Sequence, residues 1–179
     1  MAWARGVSNQ AFESGVDLFA DDKFVEAVAA FTTAIRENPT CSIYYSWRAS
    51  ALERLERLPE SIIDATRAIM LDPCDYNSYW QRGSMVPDDE QALRDYTTAM
   101  VLEPSQRGAI AAWRAVTLER LSRFDEAIQD YDLALESSPD NSKYLRDRAF
   151  VLDSADRYAE GTQSNPYHYH VRVVHHQSY

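Results

Sequence analysis

Residues 105–139 read SQRGAIAAWRAVTLERLSRFDEAIQDYDLALESSP, and three less regular copies of this stretch precede it. The copies close on prolines separated by 34, 31 and 35 residues: Pro39, Pro73, Pro104 and Pro139. Within each copy, small and apolar residues recur at helical spacing in two segments. Because a proline cannot continue a helix, each closing proline predicts the end of a second helix. The chain is therefore predicted to be a row of helical hairpins.

This pattern resembles the tetratricopeptide repeat, in which helix A, a tight turn and helix B form one unit. The resemblance rests on Trp113-Arg114-Ala115 in helix A and on Ala127, Tyr131 and Ala134 in helix B. It implies an all-α, right-handed α-solenoid of four repeats and a partial fifth. We place the repeats at residues 8–40, 41–74, 75–105, 106–140 and 141–160, followed by an irregular tail at 161–179.

Small residues predict where the two helices of a hairpin cross, because a missing side chain lets the backbones approach. These crossing positions are Gly15, Ala49, Gly83 and Ala115. The third repeat is about three residues short, and Pro87 stands in its gap. Its helix A is predicted to end near Met85, with an acidic residue capping the next helix.

Composition narrows the class of partner. The chain carries 28 acidic and 18 basic residues, a net charge of −10. Nucleic acids and anionic membranes require a basic footprint, so we predict neither as a partner. A neutral or basic protein segment suits this charge better.

No apolar run approaches the length of a signal peptide or membrane span, which predicts a cytoplasmic protein, with the nucleus as the alternative. Cys41 and Cys74 are predicted to be free thiols.

Arginine and aspartate recur together. Helix A carries an arginine followed by a small residue, and helix B carries an aspartate, whereas the first repeat lacks both. This joint presence predicts partly buried ion pairs: Arg48 with Asp64, Arg82 with Asp95, and Arg114 with Asp130. Asp130 is also a candidate partner for Arg148, which has no complete helix B of its own. The alternative is that the arginines point into a groove and bind a carboxylate.

Helix A residues outside the core line the concave surface in tetratricopeptide repeats. Aromatic side chains on that surface can anchor a peptide, or can simply pack between adjacent A helices. The candidate groove residues are Phe12, Val16, Trp47, Trp80, Gln81 and Trp113.

Repeats one to three resemble a narrower set, the co-chaperones whose three-repeat module grips the acidic tails of heat-shock chaperones. That module clamps a carboxylate with Lys and Asn on the first helix A, Asn on the second, and Lys and Arg on the third. The matching positions here are Phe12, Val16, Trp47, Asn77 and Gln81, and none keeps the clamp residue. The resemblance therefore implies a concave groove but not this acidic ligand.

No catalytic constellation, cofactor motif or metal-ligand spacing stands out. The four histidines fall in the last twelve residues, where we favour a solvated tail over a weak metal site: His168, His170, His175 and His176. The predicted function is a non-enzymatic adaptor that binds a protein or peptide segment. The alternatives are a co-chaperone-like module with altered ligand preference, the targeting region of a larger enzyme, and a structural subunit.

The pattern fails at the C-terminus. A fifth helix A is predicted to begin at Asn141, with a turn near Asp156 and the start of a helix B at Tyr158. After Gly161 the periodicity stops, so we predict a disordered or loosely docked tail. The fifth helix would then expose apolar surface and favour self-association at that end.

Overall fold

The computed structural model describes the backbone of residues 9–163 and the side chains of residues 9–158. This range contains nine α-helices and no strand, which confirms the all-α class. The helices are α1 (Gln10–Ala20), α2 (Phe24–Glu37), α3 (Ser42–Arg54), α4 (Leu58–Leu71), α5 (Tyr76–Met85), α6 (Asp89–Leu102), α7 (Arg107–Arg120), α8 (Phe124–Ser137) and α9 (Ser142–Gln163). A 3₁₀ turn at Pro104–Gln106 precedes α7.

Each helix packs on the next one in the chain, and α9 packs on α8. The odd-numbered helices are the A helices of the repeats, and the even-numbered helices up to α8 are the B helices. The helix α1 also contacts α3, and α3 contacts α5. Successive A helices therefore lie side by side, and we call the surface that they form the A face.

The predicted crossing positions are all buried. A Cβ atom on Gly15 would lie 2.5 Å from Cε1 of Phe31, a ring that is itself fully buried. A Cβ atom on Gly83 would lie 3.0 Å from Cε1 of Tyr96. The absent side chains thus provide the space that an aromatic ring from helix B fills.

Three of the four hairpins use the same turn. Asp22, Glu56 and Ser122 adopt positive φ angles of 60°, 58° and 57°. The following residue then donates its backbone N–H to a carbonyl five residues earlier at 2.9 Å, as Arg57 does to Leu52. This arrangement is a Schellman motif, which satisfies the free carbonyls at the end of helix A.

The third hairpin turns differently because of its deletion. Helix α5 ends at Met85, and Val86 is extended with φ −68° and ψ 138°. Asp88 then caps α6, its side chain accepting a hydrogen bond from the backbone N–H of Glu90 at 3.0 Å. The predicted helix end and acidic cap are therefore confirmed. This hairpin turns without a residue at positive φ.

The strained turn residues offer a stability test. Replacing Glu56 by glycine should raise the free energy of unfolding by about 1 kcal/mol, because glycine tolerates φ 58° without a Cβ penalty. Thermal unfolding followed by circular dichroism measures the gain. Glu56→Ala removes the same side chain but keeps Cβ, so it should give no comparable gain. An equal gain from both variants would contradict the strain argument.

The fifth repeat does not turn. A turn near Asp156 was predicted, but α9 continues through this position to Gln163, so the prediction is wrong. The first three residues of the predicted irregular tail, 161–163, are also helical. In the other hairpins, non-glycine residues adopt the left-handed turn because helix B packs against it. Within the described range, no such helix follows α9. Residues 164–179, with the four histidines and the rest of the predicted tail, lie outside the described part.

Cys41 and Cys74 are free thiols, as predicted. Among the described helices, none is both long enough and apolar enough to cross a membrane.

Candidate binding surface

Three arginines of the A helices each form a two-pronged ion pair with the aspartate of their own helix B. Nε and Nη2 of each guanidinium donate to the two carboxylate oxygens at 2.7–2.8 Å. The pairs join Arg48 to Asp64, Arg82 to Asp95, and Arg114 to Asp130. All three aspartates are buried. The structure thus brings together each pair that the sequence predicts.

Each of these arginines also reaches back to the preceding repeat. Nη1 donates to a threonine hydroxyl on the previous helix B: Arg48 to Thr32 at 3.1 Å, Arg82 to Thr66 at 3.4 Å, and Arg114 to Thr97 at 3.0 Å. These threonines were not among the predicted residues, although each stands two residues after the aspartate position. One arginine therefore connects three helices.

The equivalent arginine of α9 differs from these three. Arg148 Nε donates to Asp132 at 2.6 Å and not to Asp130, the partner considered from the sequence. Asp132 stands where the earlier repeats have threonine, so an aspartate replaces the hydroxyl at the junction after which no helix B follows within the described range. This pair is considerably more exposed than the other three.

The hydrogen bonds to aspartate have the largest effect on the pKa of these arginines. Bonding to the aspartate raises the pKa of Arg48, Arg82 and Arg114, and burial opposes that rise. A guanidinium that already bonds a carboxylate and a hydroxyl has little capacity left for a ligand. The geometry favours the ion-pair interpretation over carboxylate capture in a groove.

Aromatic residues dominate the N-terminal end of the A face. The Trp47 ring lies 5.6 Å from Phe19, 6.0 Å from Phe31 and 6.3 Å from Phe12 between centroids. Phe31 lies on the B helix α2 and is fully buried, so we call the three partly exposed residues, Phe12, Phe19 and Trp47, the aromatic patch. Val16 packs against it. Three positions matching the carboxylate clamp, Phe12, Val16 and Trp47, therefore form an apolar, partly exposed surface.

The middle of the A face is held by contacts between neighbouring A helices. Gln81 Nε2 donates to Ser50 Oγ at 2.7 Å, joining α5 to α3. Trp80 meets Trp113 edge to face at 6.4 Å, joining α5 to α7. The buried Trp80 Nε1 has no hydrogen-bond partner within the described residues. Gln81 and Trp80 thus serve packing between repeats as well as lining the surface.

Trp113 is the most open of the three tryptophans on this surface, with 47% of its area exposed. Its ring lies 5.9 Å from Nζ of Lys143 on α9. An exposed tryptophan on a surface of A helices is the kind of side chain that anchors partner segments.

The far side of α9 exposes a row of apolar side chains. Leu145 is 49% and Leu152 38% exposed. By position these residues would face a fifth helix B. Val151 of α9 is buried and instead packs on the fourth hairpin.

No cluster of three or more histidine, cysteine or carboxylate side chains that could hold a metal ion occurs in the described part of the chain.

The family profile described as "Tetratricopeptide repeat" matches residues 12–76 and 90–142. Among curated proteins, Hsp70-Hsp90 organizing protein of Triticum aestivum is 31% identical over 98 residues, which is 53% of this chain. Serine/threonine-protein phosphatase 5 of Rattus norvegicus is 33% identical over 96 residues, or 52% of this chain. The match spans only 17% of the first protein and 19% of the second.

The fold also matches solved structures. YrrB, described as a TPR protein with an unusual peptide-binding site, superposes with a TM-score of 0.71 at 18% identity. The superposition covers 79% of this chain and 75% of YrrB. At this identity the similarity establishes the shared helical-hairpin solenoid.

Proposed function

Because the chain belongs to the tetratricopeptide repeat family, we propose that it is a non-catalytic adaptor that binds a segment of another protein along its A face. Tetratricopeptide repeats bind proteins and peptides, and YrrB is described by its peptide-binding site. The observation that carries the proposal is the row of partly exposed side chains from Phe12 to Trp113, which crosses α1, α3, α5 and α7.

The chemistry of this row favours an apolar anchor in the ligand. The aromatic patch offers ring surfaces, and Trp113 offers a further exposed ring. The arginines nearby are occupied by their aspartates. The ligand is thus a neutral or basic segment with at least one large apolar side chain. We propose neither nucleic acid nor a membrane as a partner, and we place the adaptor in the cytoplasm or nucleus.

The proposal is tested by selecting short random peptides displayed on phage against the full chain. Selected peptides should bind the wild type and lose about tenfold or more affinity for Trp113→Glu, because a tryptophan that anchors a ligand contributes about 2 kcal/mol or more. Val101→Glu is the matched control, since Val101 is an exposed apolar residue on the B helix α6. Equal loss in both variants, or no selectable peptide, would refute binding on the A face.

Acidic chaperone tails provide a negative control. A peptide ending in Glu-Glu-Val-Asp should show no useful binding, since the clamp positions supply no positive charge. Isothermal titration calorimetry measures it. A dissociation constant of about 10 μM or tighter, near −7 kcal/mol, would instead establish the co-chaperone-like alternative.

The match to phosphatase 5 favours one further possibility, that the array targets a larger enzyme. The aligned part of that phosphatase is 19% of its length. A longer transcript that encodes a catalytic domain together with these repeats would establish this alternative.

We also propose that the exposed apolar row of α9 pairs with the same row of a second copy. Such a pairing would cover Leu145 and Leu152, which have no intramolecular partner helix on that side within the described range. Sedimentation should show a dimer for the wild type and a monomer for Leu145→Lys/Leu152→Lys. A wild-type monomer throughout the micromolar range would overturn this proposal.

A further inference from the structure

The first repeat carries aromatic side chains at three positions where the fourth repeat and α9 carry polar ones. In the first, Phe19, Phe31 and Trp47 pack their rings together and fill the space between α1, α2 and α3. Relative to the crossing residues, the same positions in the fourth repeat and its neighbour α9 are Glu119, Tyr131 and Asp147. Two carboxylates and a phenol therefore replace two aromatic hydrocarbons and an indole.

This exchange opens a cavity. The space between α7, α8 and α9 has a volume of about 310 Å³. We call it the acidic cavity, and its lining residues are Val116, Glu119, Tyr131, Arg146, Asp147 and Phe150. The Asp147 side chain is far smaller than an indole, so it does not fill the space that Trp47 fills in the first repeat.

The phenol of Tyr131 lacks a hydrogen-bond partner there. Tyr131 is only 1% exposed, it lines the cavity, and its hydroxyl makes no hydrogen bond to another described residue. Burial, together with the negative charges of Asp147 and Glu119, raises the pKa of Tyr131 to about 12. An unbonded hydroxyl on a side chain that lines the cavity can form a hydrogen bond with a group bound there.

The carboxylates are available as well. Glu119 forms no ion pair within the described residues, and burial followed by the charge of Asp147 raises its pKa. Among the described residues, Asp147 forms one ion pair, with Nε of Arg146 at 3.4 Å, and that arginine, which also lines the cavity, is mostly exposed. A positively charged ligand group would relieve the repulsion between the two carboxylates, whereas an anion would increase it.

We propose, on the basis of the peptide-binding function above, that the acidic cavity is a subsite for a lysine or arginine side chain of the bound segment. Its walls match the two parts of such a side chain. Val116 and Phe150 supply apolar surface for the methylene stem, and Glu119, Asp147 and Tyr131 supply acceptors for the charged head.

The two subsites also predict how the bound segment lies along the array. The aromatic patch at the N-terminal end binds the apolar residue of the segment, and the acidic cavity at the C-terminal end binds its basic residue. The two subsites are separated by the surface that Gln81 and Trp113 line, so one extended segment must supply both groups. The net charge of −10 favours the approach of such a segment.

The test uses the full chain and peptides selected from the random phage library. Wild type should enrich peptides with lysine or arginine at one fixed position. Replacing that residue by acetyl-lysine or citrulline, which keep the shape but remove the charge, should weaken binding about tenfold or more. On Glu119→Gln/Asp147→Asn, the same replacement should change affinity by less than about twofold.

The matched control is Glu136→Gln/Asp140→Asn, which makes the same change in net charge at exposed positions outside the cavity. It should behave as wild type. If the cavity variant loses helical circular dichroism, Asp147→Asn alone provides the comparison.

Three outcomes would overturn the subsite. Peptides that bind the A face but show no basic preference would refute the subsite and leave the proposed function intact. An equal loss from charge removal in wild type and cavity variant would place the basic residue elsewhere. Failure to select any peptide would remove the proposed function together with the subsite.

Discussion

Replacing Asp130 by alanine is expected to lower the free energy of unfolding by roughly 3–5 kcal/mol, the cost of breaking a buried ion pair from one side. The loss is large because the Asp130 carboxylate is buried and bonds Arg114 through both oxygens. Without it, the guanidinium stays partly buried with only the hydroxyl of Thr97 as a described partner. Chemical denaturation followed by circular dichroism measures the effect.

Two further variants serve as controls for this measurement. Asp125→Ala removes an exposed aspartate from the same helix and should change stability little. Arg114→Leu/Asp130→Leu removes both charges and should recover most of the loss, because it leaves no buried charge unpaired. An Asp130→Ala variant within about 1 kcal/mol of wild type would show that the pair does not hold the hairpin.

Replacing Ala115 by leucine should cost about 1–3 kcal/mol, because Ala115 is fully buried where α7 crosses α8 and the added atoms have no space. Ala109→Leu is the control, since Ala109 is exposed on the same helix. Thermal unfolding should separate the two variants clearly. A melting midpoint for Ala115→Leu equal to that of the control would contradict the crossing geometry.

The fold was predictable from the sequence because its determinants are local and repeated. The crossing residue Gly83 is separated from the ring that covers it, Tyr96, by thirteen residues, so one period displays both. The arginine–aspartate pairs were predictable for the same reason, since the repeat that lacks one partner also lacks the other. Recurrence made each of these relations visible several times.

The turn near Asp156 could not be predicted correctly, because the residues that form a turn here do not force it. Asp22, Glu56 and Ser122 are held at positive φ although none is glycine, so packing and not local preference fixes their conformation. The segment around Asp156 has similar residues but no helix B behind it in the described range. Its backbone continues as a helix, and Tyr158 packs on Phe124 at 5.6 Å between ring centroids.

The binding surface was only partly predictable. The helical phase placed Trp113 on the surface, but it could not show that Trp80 packs against it. The acidic cavity was missed because its residues lie on three helices and follow no motif. One indication was present: the series Trp47, Gln81, Trp113 ends in Asp147, the one charged residue at a position that is tryptophan in two of the three earlier repeats.

The arginine that touches three helices has a consequence for how the array unfolds. Each bond from Arg114 to Asp130 stabilises one hairpin, whereas the bond to Thr97 couples that hairpin to its predecessor. In a linear array, such coupling between neighbours determines how many repeats open together. The charged contact of Arg148 with Asp132 extends this coupling to α9, but the pair is more exposed than the other three, so α9 should be coupled to the fourth hairpin less tightly than the hairpins are to one another.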